Sequence, residues 1–451
     1  MMRNRRVAVK AADAARRAML SPMSPQTKIG RWLKLAGMTT SVASSYAGVR
    51  VLKALGFSEK VQEMLPETNA KIGARIARTL GELKGPVMKI GQMASLSTDL
   101  LPREIAEPLA RLRKDAPAAP YAVITKQIRD QLGAPPEELF KRFDVTPFAA
   151  ASIGQVHRAE TEDGRDVVVK VQYPGIDVSV KADISQMRFA LRAAGLLRKR
   201  PEVFERLLEE LSLRLDEELD YVHEAENLAL LGAFHAAHDF VRVPRIIAER
   251  SSSRVLTMTF EGGDTIEVAA RYPQAVRDLL GERLMFLLFS ELFGPAAMHA
   301  DPNPANFAFC ADGTFALYDF GAVKRFTADE LAGLRGVIAG AVGEDYDQVH
   351  EGMRAIGALN PDGPPVDPAI YKSWRDLIAP IFDAEVPFDY GASRLHHKLI
   401  VKIPEYKDAA RSFQLPMGLM LAQRAFAGLY GNLRNLGARV NGGEVLARVL
   451  G

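Results

Sequence analysis

Three oxygen-bearing side chains gather late in the chain. Asp301 and Asn306 lie in His299-Ala-Asp301-Pro-Asn303-Pro-Ala-Asn306, and Asp319 opens Asp319-Phe320-Gly321. Between them, Phe307–Cys310 and Thr314–Asp319 read as a β-hairpin turned by Asp312-Gly313, which returns Asp319 beside the loop carrying the other two. Asn306 and Asp319 can then share Mg²⁺, a hard cation that takes oxygen ligands. Asp301 is left to face a reacting phosphoryl group, so the chemistry indicated is phosphoryl transfer from Mg-ATP. Asp301-Pro-Asn303-Pro alone is a good turn sequence, and Asp-Phe-Gly alone is a common tripeptide. The two together, with a hairpin between them, carry the reading.

This order of a loop aspartate, a metal-binding asparagine five residues on and a DFG aspartate reproduces the protein-kinase template. The template also needs a strand lysine. Lys170 ends the apolar run of Asp166-Val-Val-Val-Lys170. A lysine there is costly to bury unless its charge is paired, although it can also reach solvent from a strand edge. Its candidate partner is Glu224, in an acidic stretch with Glu218 and Asp220. Asp220 and Glu224 are four apart and are expected to share a helix face. A solvated acidic face is the alternative. In place of a glycine-rich phosphate loop the chain has Phe148-Ala149-Ala150-Ala151-Ser152-Ile153-Gly154-Gln155-Val156. Alanines restrict the backbone more than glycines, so this is an alanine-rich nucleotide loop or no nucleotide loop. Lys89 and Gln92, three apart around Gly91, share a helix face and on spacing alone fit a plain surface helix.

The elements expected to position these groups follow from pattern. Residues 54–145 read as mostly helical, with a break at Asp115–Pro120 and a helix Tyr121–Leu132 stopped by Gly133-Ala-Pro-Pro136. Ile153–Ala159 and Asp166–Gln172 form a hairpin turned at Glu162–Gly164. Pro201 opens a long helix to about Phe234. Val241–Ala248 and Arg254–Phe260 are short strands. After Glu261 the chain is mostly helical, and a helix begins near Thr327. The run 284–300 is apolar but interrupted by Glu291. The expected division is a basic arm (1–53), a helical extension (54–145), a sheet-rich lobe with a helical insertion (146–260) and a larger helical lobe (261–451).

Composition excludes several classes. With 48% hydrophobic and 25% charged residues the chain is globular, and one cysteine, Cys310, excludes an intramolecular disulfide and a cysteine-cluster metal site. The net charge of +3 hides an asymmetry: residues 1–53 carry 11 Lys+Arg and the single acid Asp13, or +10, and the remainder carries −7. Three readings fit the arm: a solvated tail, an attachment to anionic lipid headgroups, or an Arg-rich presequence. Nucleic-acid binding is not expected, since the arm lacks interleaved aromatics and the body is acidic. The longest uncharged run there, Leu35 to Val49, is 15 residues with five Ser/Thr, short of the roughly 20 apolar residues of a spanning helix.

These clusters, in this order, resemble the UbiB/ADCK family of atypical kinases, including the branch that supports coenzyme Q biosynthesis. The resemblance runs from about residue 70 to the end. Its specific pieces are Lys89–Gln92, Pro147–His157, Lys170-Val-Gln-Tyr-Pro-Gly175, Glu218-Leu-Asp220, Asp301–Asn306 and Asp319–Gly321, with Val386–Gly391 similar to the mitochondrial branch. It implies an α+β, two-lobed protein-kinase-like fold with an N-terminal helical extension.

The resemblance also implies roles. Lys170 would contact nucleotide phosphates and pair with Glu224. Ala149, Ala150, Ala151, Ser152 and Val156 would line the nucleotide, with Met258 to Glu261 at the adenine. Asn306 and Asp319 would hold Mg²⁺, and Asp301 would sit as catalytic base. Lys89 and Gln92 would fold over the site and reach Glu218 and Asp220, filling the space of a protein substrate. Only Ala322–Phe326 separates Gly321 from the next helix, so ordinary peptide docking is not expected. The expected activity is that of an Mg-ATP-dependent kinase or ATPase supporting quinone-lipid biosynthesis. A true protein or small-molecule kinase and a non-catalytic lipid-binding scaffold are the alternatives. Expected partners are quinone-biosynthesis enzymes or quinone precursors and an anionic membrane surface; a homodimer is compatible. Many bacterial relatives carry C-terminal transmembrane helices and this sequence shows none, so a cytoplasmic, peripheral placement at a bacterial inner membrane is expected, with a mitochondrial presequence left open.

Overall fold

The computed structural model describes residues 118–150, 153–178, 219–383, 385–402, 409–414 and 416–451, with a few isolated residues before 219. Along the chain run α1 (Tyr121–Leu132), β1 (Arg142–Phe143), β2 (Ala149–Ala150), β3 (Gly154–Glu160) and β4 (Asp166–Gln172). Then come α2 (Tyr221–His235), β5 (Val241–Arg242) and β6 (Val255–Thr259). Next are α3 (Gln274–Phe293), β7 (Ala297–His299), β8 (Phe307–Phe309), β9 (Phe315–Leu317), β10 (Val323–Arg325) and α4 (Ala328–Gly343). The last labelled elements are β11 (Phe388–Asp389), α5 (Met417–Leu436), β12 (Arg439–Val440) and α6 (Gly442–Leu450). The chain divides into two compact units, Met1–Tyr221 with Ile247–Met258, and Val222–Ile246 with Thr259–Gly451. These limits cut across the expected division at 145/146 and 260/261, because α1 and β1 pack with the sheet and residues 222–246 leave it.

In the first unit the strands are ordered β1-β3-β4-β6, with β2 folded back antiparallel on β3. The expected hairpin forms, with Glu160 opposite Asp166 and Gly154 opposite Gln172. Alternation along β4 sends Val167, Val169 and Val171 into a core with Ala159, Val255 and the Ile124 and Ile128 face of α1. Gly154 closes this ladder: a Cβ there would stand 2.2 Å from the Val171 carbonyl oxygen. Gly154→Ala is therefore expected to lower stability by about 1–3 kcal/mol, read as a lower melting temperature by circular dichroism.

The long helix expected from Pro201 does not run through. Residues 201–211 lie outside the described residues, Leu219 and Asp220 are not helical, and α2 starts at Tyr221. The reason is backbone bonding. The Tyr221 N–H donates to the Ser253 carbonyl (3.0 Å), and the Leu219 carbonyl accepts from the Gln172 side-chain amide (2.7 Å). The strand expected over Val241–Ala248 is confined to β5, since Pro244 has no N–H for a ladder, and Ala248–Arg250 is a 3₁₀ turn.

The second unit is built around α3. Leu280, Leu284, Leu287, Leu288 and Leu292 are buried along it, and it packs with α5, α6, β12 and β7. The expected second hairpin forms as β8 and β9, with Phe307 opposite Leu317 and Gly313 in the left-handed region (φ 83°). β5 adds parallel to β9, and β7 pairs antiparallel with β10. The helix expected near Thr327 is α4; Thr327 caps it and Glu330 completes a capping box. Among the described residues no helix is long and apolar enough to cross a membrane.

Candidate functional site

Lys170 lies on β4 opposite Val156 of β3 and is buried, 9% exposed. Its ammonium stands 5.0 Å from the centroid of the Tyr221 ring, a cation–π contact that offsets part of its desolvation. The alanine-rich segment is a short strand: Ala149 pairs with Val156 and Ala150 with Gln155. Its support comes from two buried polar residues of the same motif. The Gln155 carbonyl oxygen accepts from the Ala119 N–H (2.8 Å), and its amide donates to His157 Nε2 (2.9 Å). That leaves Nδ1 of His157 to donate to the Asp144 carbonyl (2.7 Å). Burial pushes the His157 imidazole below its ordinary pKa, so it acts there as a neutral bridge. Met258 is buried in β6. Ala151, Ser152, Lys89, Gln92 and Glu218 lie outside the described residues.

In the second unit hydrogen bonds join Asn306 to Asp301 and to the strand end that precedes Asp319. The Asn306 side-chain amide donates to the Asp301 carbonyl (3.0 Å), and the Asn306 carbonyl accepts from the Tyr318 N–H (2.8 Å). With its Nδ2 so used, Asn306 would offer Oδ1 to a cation. Asp319 lies two residues beyond β9 in the left-handed region (φ 56°), a conformation that aspartate tolerates better than most residues, and its Oδ1 accepts from the Gly321 N–H (3.3 Å). The base of this excursion is tied by the Ala300 N–H to the Ala322 carbonyl (2.9 Å), continuing the β7–β10 pair. A hard oxygen pair such as Asn306 and Asp319 would suit Mg²⁺, which keeps several waters and takes phosphate oxygens. Among the described residues there is no cluster of three His, Cys, Asp or Glu that would suit a softer or more tightly caged ion.

Behind these groups lies a buried scaffold that sequence reasoning missed. His299 Nε2 donates to the carbonyls of Asp319 (2.9 Å) and Tyr318 (3.2 Å), and its ring meets Phe320 edge-on at 5.4 Å. The His299 N–H donates to Glu291 Oε2 (2.7 Å), while Glu291 Oε1 meets His235 Nε2 (2.7 Å). Glu291 is fully buried, so the lone acid in the otherwise apolar run 284–300 was the available signal. Asn227 of α2 donates to the Phe320 carbonyl (3.1 Å) and accepts from Arg325 (3.0 Å). The same helix carries Glu224 in its first turn, buried at 3% exposure. The shared face expected for Asp220 and Glu224 is overturned, because Asp220 precedes α2 and is exposed. Glu261 offers its carbonyl to the Tyr318 hydroxyl and its carboxylate to Thr259 (3.2 Å).

A third support is α5. Arg424 forms an ion pair with Asp301 Oδ1, Gly428 lies against Pro302, and Asn432 donates to the Pro302 carbonyl (3.0 Å). The three are spaced four apart and so share one helix face. Arginine, glycine and asparagine at such steps is a visible pattern, but nothing local says what it touches.

A family model described as "ABC1 atypical kinase-like domain" matches residues 111–353. The chain is 31% identical to "Atypical kinase coq-8, mitochondrial" of Caenorhabditis elegans, over 74% of this chain and 46% of that protein. It is 29% identical to "Atypical kinase COQ8, mitochondrial" of Saccharomyces cerevisiae, over 74% of this chain and 67% of that protein. The chain thus spans about half the length of the worm relative. A solved structure, the Rv3197–erythromycin complex from Mycobacterium tuberculosis, aligns with a TM-score of 0.61 at 30% identity, covering 87% of this chain and 98% of that one. The expected α+β kinase-like fold is borne out by these matches.

Proposed function

The chain belongs to the ABC1 atypical kinase-like family, and from that premise we propose that it is an Mg-ATP-dependent kinase or ATPase supporting quinone-lipid biosynthesis at a membrane surface. The observation that carries the catalytic part is the hydrogen-bonded group of Asp301, Asn306 and the Tyr318–Asp319 segment. In this reading Asn306 and Asp319 hold Mg²⁺, which neutralises charge on the nucleotide phosphates. Asp301 takes a proton from the attacking group. Lys170 contacts the phosphates with Glu224 as its counter-charge, Ala149–Ser152 and Val156 line the nucleotide, and Met258 to Glu261 meet the adenine. Lys89, Gln92, Glu218 and Asp220 regulate access.

Water is favoured over a peptide as acceptor. The stretch after Gly321 is the short strand β10, and Thr327 already caps α4, so no long peptide-docking loop intervenes. The names of the mitochondrial relatives and the segment Val386–Gly391 support the quinone branch, and the basic arm supports anionic lipid as the surface. The test is phosphate release by the full chain with Mg-ATP, with and without anionic liposomes. Release should be stimulated by the liposomes and fall to background with EDTA; release indifferent to EDTA would sink the catalytic reading. A radiolabel found on one specific acceptor would replace ATPase by transferase. An unchanged quinone-lipid profile in cells lacking the protein would remove the pathway assignment.

A further inference from the structure

Arg424 lies in none of the sequence motifs, 123 positions from Asp301 along the chain, yet its Nη2 pairs with Asp301 Oδ1 within the second unit. The side chains are 28% and 11% exposed, so the carboxylate is mostly withdrawn from water. A carboxylate so placed is held by its partner more firmly than a surface pair would be. The backbone of α5 is fixed to the same loop, four residues on by the packing of Gly428 on Pro302 and eight on by Asn432. Among the described residues no hydrogen bond reaches Asp301 Oδ2.

We propose that Arg424 is a positioning residue for Asp301, fixing its carboxylate with Oδ1 occupied so that Oδ2 faces the attacking group. This rests on the reading of Asp301 as the base. In the step, the proton of the attacking water passes to Oδ2 as its oxygen bonds to the γ-phosphorus. The bond from that phosphorus to the ADP oxygen breaks, and ADP and phosphate leave. A carboxylate free to rotate would present the wrong oxygen for part of the time, and small misplacements of this kind cost about 100-fold.

The experiment compares Arg424→Gln, Arg424→Lys, Asp301→Asn and the double variant Arg424→Gln/Asp301→Asn in the full chain. Phosphate release gives kcat and KM for Mg-ATP, and thermal unfolding gives stability. Arg424→Gln should lower kcat by about 30–100-fold with KM within about twofold. Arg424→Lys should recover part of the loss, because a point charge restores attraction without the planar fork. Arg424→Gln alone should lower the melting temperature by about 2–4 °C, and the same change on Asp301→Asn should lower it by much less, since no charge is then stranded. If Arg424→Gln does not fold, Arg424→Lys reads the same split, with kcat down about tenfold and KM unchanged. Coupled melting with kcat within threefold of the parent would overturn the positioning role alone. Additive melting would remove the ion pair itself. A parent protein that neither binds nor hydrolyses Mg-ATP would overturn the catalytic reading, and this role with it.

Discussion

Asp319→Asn is expected to lower phosphate release by about 10²–10³-fold while leaving the fold intact. The substitution is nearly isosteric. The amide oxygen of asparagine can still accept from the Gly321 N–H, and asparagine also tolerates the left-handed conformation that Asp319 adopts. What is lost is the one formal negative charge in the pair Asn306 and Asp319. A neutral pair holds a divalent cation weakly, so charge on the transferring phosphoryl group goes uncompensated. The melting temperature without nucleotide should therefore stay within a few degrees, while stabilisation by Mg-ATP is lost. Turnover within threefold of the parent would show that Asp319 does not hold the metal.

The second large effect is expected from Gly428→Val. A Cβ at this position would stand 2.0 Å from Pro302 Cγ and 2.5 Å from its Cβ. A proline ring cannot swing aside as a long side chain can, so either α5 or the loop must move. Pro302 directly follows Asp301, and Arg424 and Asn432 anchor the same helix to the same loop. Phosphate release should fall about 100-fold, with a stability loss of about 1–3 kcal/mol. Gly431→Ala is the control. A Cβ there meets nothing within 4 Å, and alanine favours helix, so that variant should be as stable as the parent or slightly more so. Equal activity in both variants would mean that the loop is not held from α5.

How much of this was legible depended on sequence distance. The step from Asp301 to Asn306 and the hairpin that ends before Asp319 are local, and the hairpin forms where its turn residues placed it. The hairpin β3–β4 was readable for the same reason, with alternation and a glycine turn over a short span. The start of α2 was not, because the bonds at Leu219 and Tyr221 that set it come from Gln172 and Ser253. Arg424 was equally hidden, since its meaning lies in a loop more than a hundred residues away. Glu291 falls between these cases. An acid in an apolar run announces that it has a partner, but His235 and the His299 N–H can be named only from the fold.

The bond from Ala300 to Ala322 has a consequence for how such a chain can diversify. Asp301, Asn306 and Asp319 all lie on one excursion whose neck is fastened by that bond and by the β7–β10 ladder. The three groups are thus inherited as one contiguous stretch. The turn at Asp312-Gly313, at the far end of the hairpin, is where extra residues can be taken up, because exposed loop tips tolerate insertion. A residue inserted at the neck would instead shift the pairing of His299 with Val323 and displace Asp301 against Asn306 and Asp319 together.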